Sequence, residues 1–315
     1  MPCMSEDRRP LHHFRAPRYW PTWLGMAALR VVCLLPHRPA LATGRMLGRL
    51  AERFAGKRRA VVCRNLELCF PELTAAECDA LASRHFEALG MALIEMGIGR
   101  WARDSTHLKL ARVDGLEHLH QALEAGKGVI LLSAHFTTLE ISGRVLAMNC
   151  PPFDAVYRKN SSEFVTELQR TGRERSAADT IEKRDIKRMV RNLRKGRPVW
   201  YAPDQSYDRK GSEVVPFFGV PSMHTTATST LARLGDAVTL PFFPRRLDDG
   251  SYVHTILPPL RDFPSADALE DTKQYVRVLE QHIRSCPEQY FWIHRKFKNL
   301  PEGYTNYYAD LDASK

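Results

Sequence analysis

The 315-residue chain lacks most of the short signatures that announce a chemistry. It has no G-x-x-x-x-G-K-[ST] phosphate loop: Gly126-Lys127-Gly128 lacks the spacing and precedes a strand-like run rather than following one. It has no H-E-x-x-H zinc helix and no G-x-S-x-G nucleophile elbow. The seven cysteines (Cys3, Cys33, Cys63, Cys69, Cys78, Cys150, Cys286) are odd in number and never stand as C-x2-C. That argues against a disulfide framework and a zinc ribbon, and for a reducing compartment. Glycine (18) and proline (20) take an ordinary share, which excludes collagen-like or low-complexity character, and 44% hydrophobic residues excludes general disorder. No repeat of about 20–50 residues is visible. The length allows one large domain or two ordinary ones, at roughly 100–200 residues each.

Acidic residues are scarce at one end. Of 46 basic and 36 acidic residues, 13 and 3 fall in the first 64 positions, leaving 33 of each sign for the rest. The whole excess of +10 therefore sits in the first fifth of the chain, which suits an anionic partner, either nucleic acid or membrane headgroups, or else a solvated basic face. Within it, residues 20–35 form an apolar run that holds one charge, Arg30, and lies between Pro21 and Pro36. A spanning helix wants about 20 apolar residues, so this segment is short. Tyr19, Trp20 and Trp23 with Arg15, Arg18 and Arg38 around them are the composition of an interfacial anchor. A basic helix that dips into one leaflet or barely spans it is expected; a helix packed into the protein's own core is the alternative. No A-x-A cleavage site follows, so a signal peptide is not expected. Helix-turn-helix, RNP and zinc-finger patterns are missing, and the basic residues interleave with Leu, Met, Val and Trp, so membrane is preferred to nucleic acid.

Beyond the anchor, Leu41, Met46, Leu47, Leu50 and Phe54 recur at helical spacing, with Arg45, Arg49 and Arg53 on another stripe, and predict a helix over 40–64. Residues 65–71 end it. Thr74-Ala75-Ala76-Glu77 has the pattern of a capping box and opens a second helix toward Gly97. The character then changes. Val129-Ile130-Leu131-Leu132 is a continuous apolar run after glycine, the pattern of a strand buried on both faces. Similar runs at 153–157, 198–202, 237–243 and 252–257 alternate with helical patterns at 162–175, 186–195, 225–234 and 266–285. The expected fold is α/β, a mostly parallel mixed sheet with helices on both faces, over residues 106–315. A basic, α-helical, membrane-associated part is expected over 1–105.

His135 falls where the first clear strand stops, and ligands in open α/β sheets gather at the carboxyl ends of strands. Glu140 follows five residues later. Five residues on one helix rotate two side chains about 140° apart, so the pair meets only if His135 lies on the preceding turn and Glu140 on the first helical turn. A carboxylate would then hold one imidazole nitrogen and leave the other free as a base. The alternative is bland: Thr137-x-x-Glu140 is itself a capping-box pattern, and a histidine at a strand end can be merely hydrogen-bonded.

His-x4-Glu after an apolar strand resembles the first motif of the glycerolipid acyltransferase superfamily, usually His-x4-Asp. The closer resemblance is to the late lipid A acyltransferases of Gram-negative bacteria, where Glu takes the acidic place. Val156-Tyr157-Arg158 resembles a second motif and Pro203-Asp204-Gln205-Ser206 stands at the place of a third. Val215-Pro216-Phe217-Phe218-Gly219 and Leu240-Pro241-Phe242-Phe243-Pro244 are similar to later ones. So are Arg64-Asn65-Leu66-Glu67-Leu68-Cys69-Phe70-Pro71 and Tyr290-Phe291-Trp292-Ile293-His294-Arg295, and the likeness covers residues 15–300. Each motif alone is weak; the ordered set is specific.

The resemblance implies transfer of a fatty acyl chain from acyl-carrier-protein thioester to a hydroxyl on a hydroxyacyl chain of a Kdo-bearing lipid A precursor, at the cytoplasmic face of the bacterial inner membrane. A coenzyme A-dependent glycerolipid or glycolipid acyltransferase is the alternative, and a non-catalytic membrane or nucleic-acid binding protein the reading from another class. His135 is expected as general base and Glu140 as the group that fixes its tautomer. No covalent enzyme intermediate, cofactor or metal is needed, and Cys150 is not expected as a nucleophile. Arg158 is expected to dock the anionic acceptor, or alternatively to pair with Asp204. Asp204 and Gln205 stand at the sheet's ligand edge for substrate, or form only an Asx-type turn after Pro203. Phe217 and Phe218 line an acyl-chain groove or belong to the core. Trp292, His294 and Arg295 either join the site or serve interface and core.

Overall fold

The computed structural model describes residues 10–158, 160, 162–208 and 211–313, with the backbone alone for Leu108 and Ala313; Cys3 lies outside them. The six described cysteines are all unpaired thiols. The chain begins with helices: α1 (Trp20–Val32), α2 (His37–Phe54), α3 (Gly56–Cys69), α4 (Ala75–Trp101) and a short α5 (Asp104–Leu110). The capping box forms as its spacing predicts: Glu77 N–H donates to Thr74 Oγ1 at 3.3 Å, and Thr74 N–H donates to the Glu77 carboxylate at 2.8 Å. The expected single helix over 40–64 is two. At Ala55 the backbone turns to φ −95°, ψ 30°, Gly56 follows, and α3 then runs on to Cys69. Glycines let α2 lie directly on α4. A Cβ on Gly48 would sit 2.1 Å from the Phe86 carbonyl oxygen, and one on Gly90 would sit 2.1 Å from that of Gly44. No helix among the described residues is long and apolar enough to cross a membrane.

From residue 111 strands alternate with helices in chain order: β1 (Ala111–Asp114), α6 (Leu116–Glu124), β2 (Gly128–Leu132), α7 (Leu139–Asn149), β3 (Asp154–Tyr157), α8 (Glu163–Arg173), β4 (Asp179–Glu182), α9 (Ile186–Leu193) and β5 (Val199–Tyr201). A hairpin of β6 (Ser212–Phe217) and β7 (Val220–Thr225) follows, then α10 (Ala227–Gly235), β8 (Ala237–Arg246), β9 (Tyr252–Ile256), α11 (Ala268–Ser285) and α12 (Ala309–Ala313). Seven strands form one sheet in the order β1-β9-β8-β2-β5-β3-β4. All its neighbours are parallel except β8 and β9, so the sheet is mixed but mostly parallel.

Strand β2 shows why its sequence reads as continuous apolar. Ile130 and Leu132 enter one buried cluster with residues of α3, α4, α9 and α11, while Val129 and Leu131 enter another with residues of α6 and α7. Both faces are covered, as expected of a parallel strand. Strands β1, β4 and the β6–β7 hairpin had no clear sequence signal. The first two have four residues each, and the hairpin carries Pro216 and Pro221, which count against a strand reading.

Candidate active site

Two neighbouring parallel strands deliver the central pair. Leu132 at the end of β2 lies in register with Tyr201 at the end of β5, and Ser133 N–H donates to the Tyr201 carbonyl at 2.8 Å. Each strand then runs three more residues, to His135 and to Asp204. Asp204 Oδ1 lies 2.6 Å from His135 Nδ1, and Oδ2 accepts the His135 backbone N–H at 3.1 Å. Asp204 is buried, while the His135 side chain keeps 32% of its surface exposed. Burial alone would raise the Asp204 carboxyl. The charge and hydrogen bonds of His135, with the charge of Lys296, instead hold it well below the usual carboxylate range.

The carboxylate on the imidazole is thus Asp204, which corrects the expected contact with Glu140. Glu140 does sit in the first turn of α7, but Arg173 at the end of α8 claims it, with Nη2 and Nε donating to Oε1 at 2.6 and 3.2 Å. The ion pair holds the Arg173 guanidinium above its ordinary range. The capping-box alternative for Glu140 is not met either: α7 starts from Thr138, without a side-chain cap. Asp204 therefore stands on His135 where sequence reasoning put Glu140, for a topological reason. Nδ1 takes one acceptor, and the loop after β5 presents one to both the ring and the main chain.

A small pocket of about 10 Å³, room for one water, opens beside the pair and is lined among others by Gln205, Tyr290, His294 and Lys296. Gln205 Nε2 lies 3.0 Å from His294 Nε2. The segment that brings His294 runs beside the His135 loop: Phe291 N–H donates to the His135 carbonyl at 3.0 Å, and Thr137 N–H donates to that of Gln289 at 2.8 Å. Trp292 is fully buried and Arg295 turns out to Asp312 at 2.7 Å. Asn65 on α3 fixes this segment from behind, its Nδ2 donating to the carbonyls of Trp292 (2.7 Å) and His294 (2.8 Å), while Tyr308 donates to its Oδ1. Sequence reasoning gave no role to Asn65 or Lys296, since an amide in a helix and a lysine in a charged stretch both read as surface.

Arg158 follows β3 directly and is exposed; it does not pair with Asp204. Of the two readings of Phe217 and Phe218, groove or core, the structure places both rings against the aromatic core. Phe217 is fully buried against Tyr290, Trp292 and Phe297, and Phe218 packs on Phe70 and Trp292 with the Arg284 guanidinium over its ring.

The sizeable apolar cavity lies elsewhere, between α1, α4 and α8. It encloses about 200 Å³ and is walled by Met26, Leu29, Met96, Val165 and Leu168, with Arg100 and Glu140 as its charged side chains and Gly172 in one wall. A smaller cavity of about 30 Å³ against Phe153 and Trp200 shares Glu140 and Ser176 with it.

Comparison with known proteins completes the picture. Residues 9–299 match the sequence profile of a family described as bacterial lipid A biosynthesis acyltransferase. The chain is 40% identical over 294 residues to the lipid A biosynthesis lauroyltransferase of Escherichia coli (strain K12), covering 93% of this chain and 96% of that one. Identity is 37% over 297 residues to the palmitoleoyltransferase of the same organism (94% and 96% covered), and 30% over 309 residues to its myristoyltransferase (95% and 93% covered).

Proposed function

Because the chain belongs to the bacterial lipid A biosynthesis acyltransferase family and is an acyltransferase, we propose that it moves a fatty acyl chain from acyl-carrier-protein thioester to a hydroxyl on a hydroxyacyl chain of a Kdo-bearing lipid A precursor. The observation that carries the mechanism is the Asp204 carboxylate on His135 Nδ1. With Nδ1–H donated to Asp204, Nε2 keeps its lone pair and, on a side chain that is a third exposed, serves as the base. An alcohol is a poor nucleophile, and a positioned base contributes about 10²–10⁴-fold. His135 takes the hydroxyl proton as the oxygen attacks the thioester carbon, Asp204 stabilises the imidazolium that results, and the proton then leaves with the thiolate. The thioester is already activated, so no acyl-enzyme is needed. Burial pushes the Cys150 thiol up to about 12, so it does not compete as a nucleophile.

In this reading Arg158, exposed at the same sheet edge as His135, docks the anionic acceptor, and Gln205 with His294 lines the approach to the base. The 200 Å³ cavity takes the acyl chain in place of the expected Phe217–Phe218 groove. An apolar cavity of about 150 Å³ already holds benzene, so this one accommodates a length of alkyl chain. Gly172→Leu adds four carbons to its wall; long-chain donors are expected to lose about tenfold against shorter ones, measured by mass spectrometry of products from mixed donors. An unchanged product spectrum would place the chain elsewhere. Lipid A isolated with and without the protein gives the mass of the added chain, and acyl-carrier-protein compared with coenzyme A donors decides the thioester.

The protein is proposed to reach its acceptor at the cytoplasmic face of the bacterial inner membrane, by helices lying in the membrane surface. Trp20, Leu24 and Val31 on α1, and Met46, Leu50 and Phe54 on α2, are exposed at helical spacing, with Phe54 83% exposed beside Arg53. Exposed apolar side chains beside arginines suit an anionic bilayer. Phe54→Asp is expected to weaken sedimentation with vesicles containing phosphatidylglycerol by at least about tenfold; unaltered binding would remove α2 from the membrane face.

A further inference from the structure

Lys296 has no part in the mechanism above, yet it is buried directly behind the catalytic pair. Its Nζ donates to the Asp204 main-chain carbonyl at 2.5 Å, lies 3.2 Å from His224 Nε2, and stands 4.7 Å from the centre of the Phe217 ring. A lysine held only for packing would be served as well by methionine, which needs no partner for a buried charge. The groups facing it are few. Asp204 and Glu280 are the carboxylates that act on it, and Asp204 is kept ionised. His224 on β7 is held well below its usual range by burial and by Lys296 itself, and burial keeps the Cys69 thiol protonated. Burial pushes Lys296 down to about 8, with Asp204 opposing that fall, so around neutral pH it carries its charge.

We propose that Lys296 is a positioning residue for the acyl transfer: it anchors the main chain of Asp204 and balances its buried carboxylate, and so sets how strongly Asp204 holds His135. The inference rests on His135 acting as the base with Asp204 behind it. Lys296 and Asp204 are opposite charges buried together behind the His135 imidazole, and the His294 ring, pushed down to about 4 chiefly by burial, stands 6.4 Å from that of His135. Removing the cation leaves the anion free to draw a proton onto His135; removing the anion does the reverse. Two substitutions therefore move the same titration in opposite directions.

In Lys296→Met the midpoint at which the ¹⁵N ring signals of His135 change, followed on the full-length protein, is expected to rise by about one pH unit, and the acid limb of the rate profile to rise with it. In Asp204→Asn the midpoint is expected to fall. Lys296→Arg, which keeps the charge and the donor, is expected to restore the wild-type midpoint. Melting temperatures measured alongside show whether each variant is folded; methionine matches the lysine stem, and Lys296→Arg gives the charge-preserving comparison. An unmoved midpoint in Lys296→Met, with the Asp204→Asn shift present, would overturn the role of Lys296 alone. An unmoved midpoint in Asp204→Asn would overturn the reading of the catalytic pair on which it rests.

Discussion

His135→Ala is expected to lower acyl transfer by at least about a hundredfold with the protein folded and vesicle binding unchanged, while the melting temperature falls because the buried Asp204 carboxylate loses its main partner. The side chain keeps a third of its surface open while its partner is buried, so its loss empties a site and disturbs little packing. In the proposed reaction the thioester supplies the electrophile, and what the protein supplies is a base at the hydroxyl. Among the described residues the nearest candidates are engaged: His294 sits on Gln205, and Lys296 is occupied behind Asp204. Asp204→Asn is expected to cost a similar factor for a different reason. An amide has no charge to stabilise the imidazolium, and its NH2 group donates to Nδ1 and so turns the ring to the Nε2–H tautomer. A single-turnover assay separates these effects from substrate binding, and a His135→Ala enzyme working at near-native rate would remove the base from the mechanism.

Arg246→Leu is expected to lose about 3–5 kcal/mol of stability, the largest structural effect of any single substitution considered. Arg246 ends β8 and Glu95 lies in the last third of α4, and their 2.5 Å ion pair has side chains only 5% and 1% exposed. Tyr252 on β9 donates to the same Glu95 oxygen at 2.9 Å, and Gln289 bonds both the N–H and the carbonyl of Arg246 at 2.8 Å. This is the polar link between the long helix and the sheet. Removing the arginine strands a buried carboxylate, which is why breaking such a pair costs more than the pair contributes. The double variant Glu95→Leu/Arg246→Leu, with no charge left to strand, is expected to be more stable than Arg246→Leu alone. Urea midpoints measure both; losses that simply add would contradict a coupled pair.

What was legible in the sequence follows from what each residue needs. A strand buried on both faces must be apolar throughout, so β2 and the histidine at its end stood out, as did the Thr74–Glu77 cap, whose chemistry is local. The partner of His135 was not legible, because it depends on the register of β5 against β2, a relation between residues 69 apart in sequence. In sequence Asp204 reads as a substrate ligand or an Asx-type turn, although it stands at the same three-residue offset from its strand end as His135 does. Glu140 was favoured because it is near in sequence; Arg173, which takes it, lies at the far end of α8. Phe217 and Phe218 fell in a hairpin masked by Pro216 and Pro221. Lys296 sits among His294, Arg295 and Lys298, a setting that reads as solvent-exposed and conceals one fully desolvated ammonium.

The ¹⁵N chemical shifts of the two His135 ring nitrogens, measured at about pH 8 on the full-length protein, test the central claim most directly. A proton on Nδ1 and a bare Nε2, unaltered by Glu140→Gln and lost in Asp204→Asn, is the expected result. A proton on Nε2, or a tautomer that follows Glu140 instead of Asp204, would contradict it.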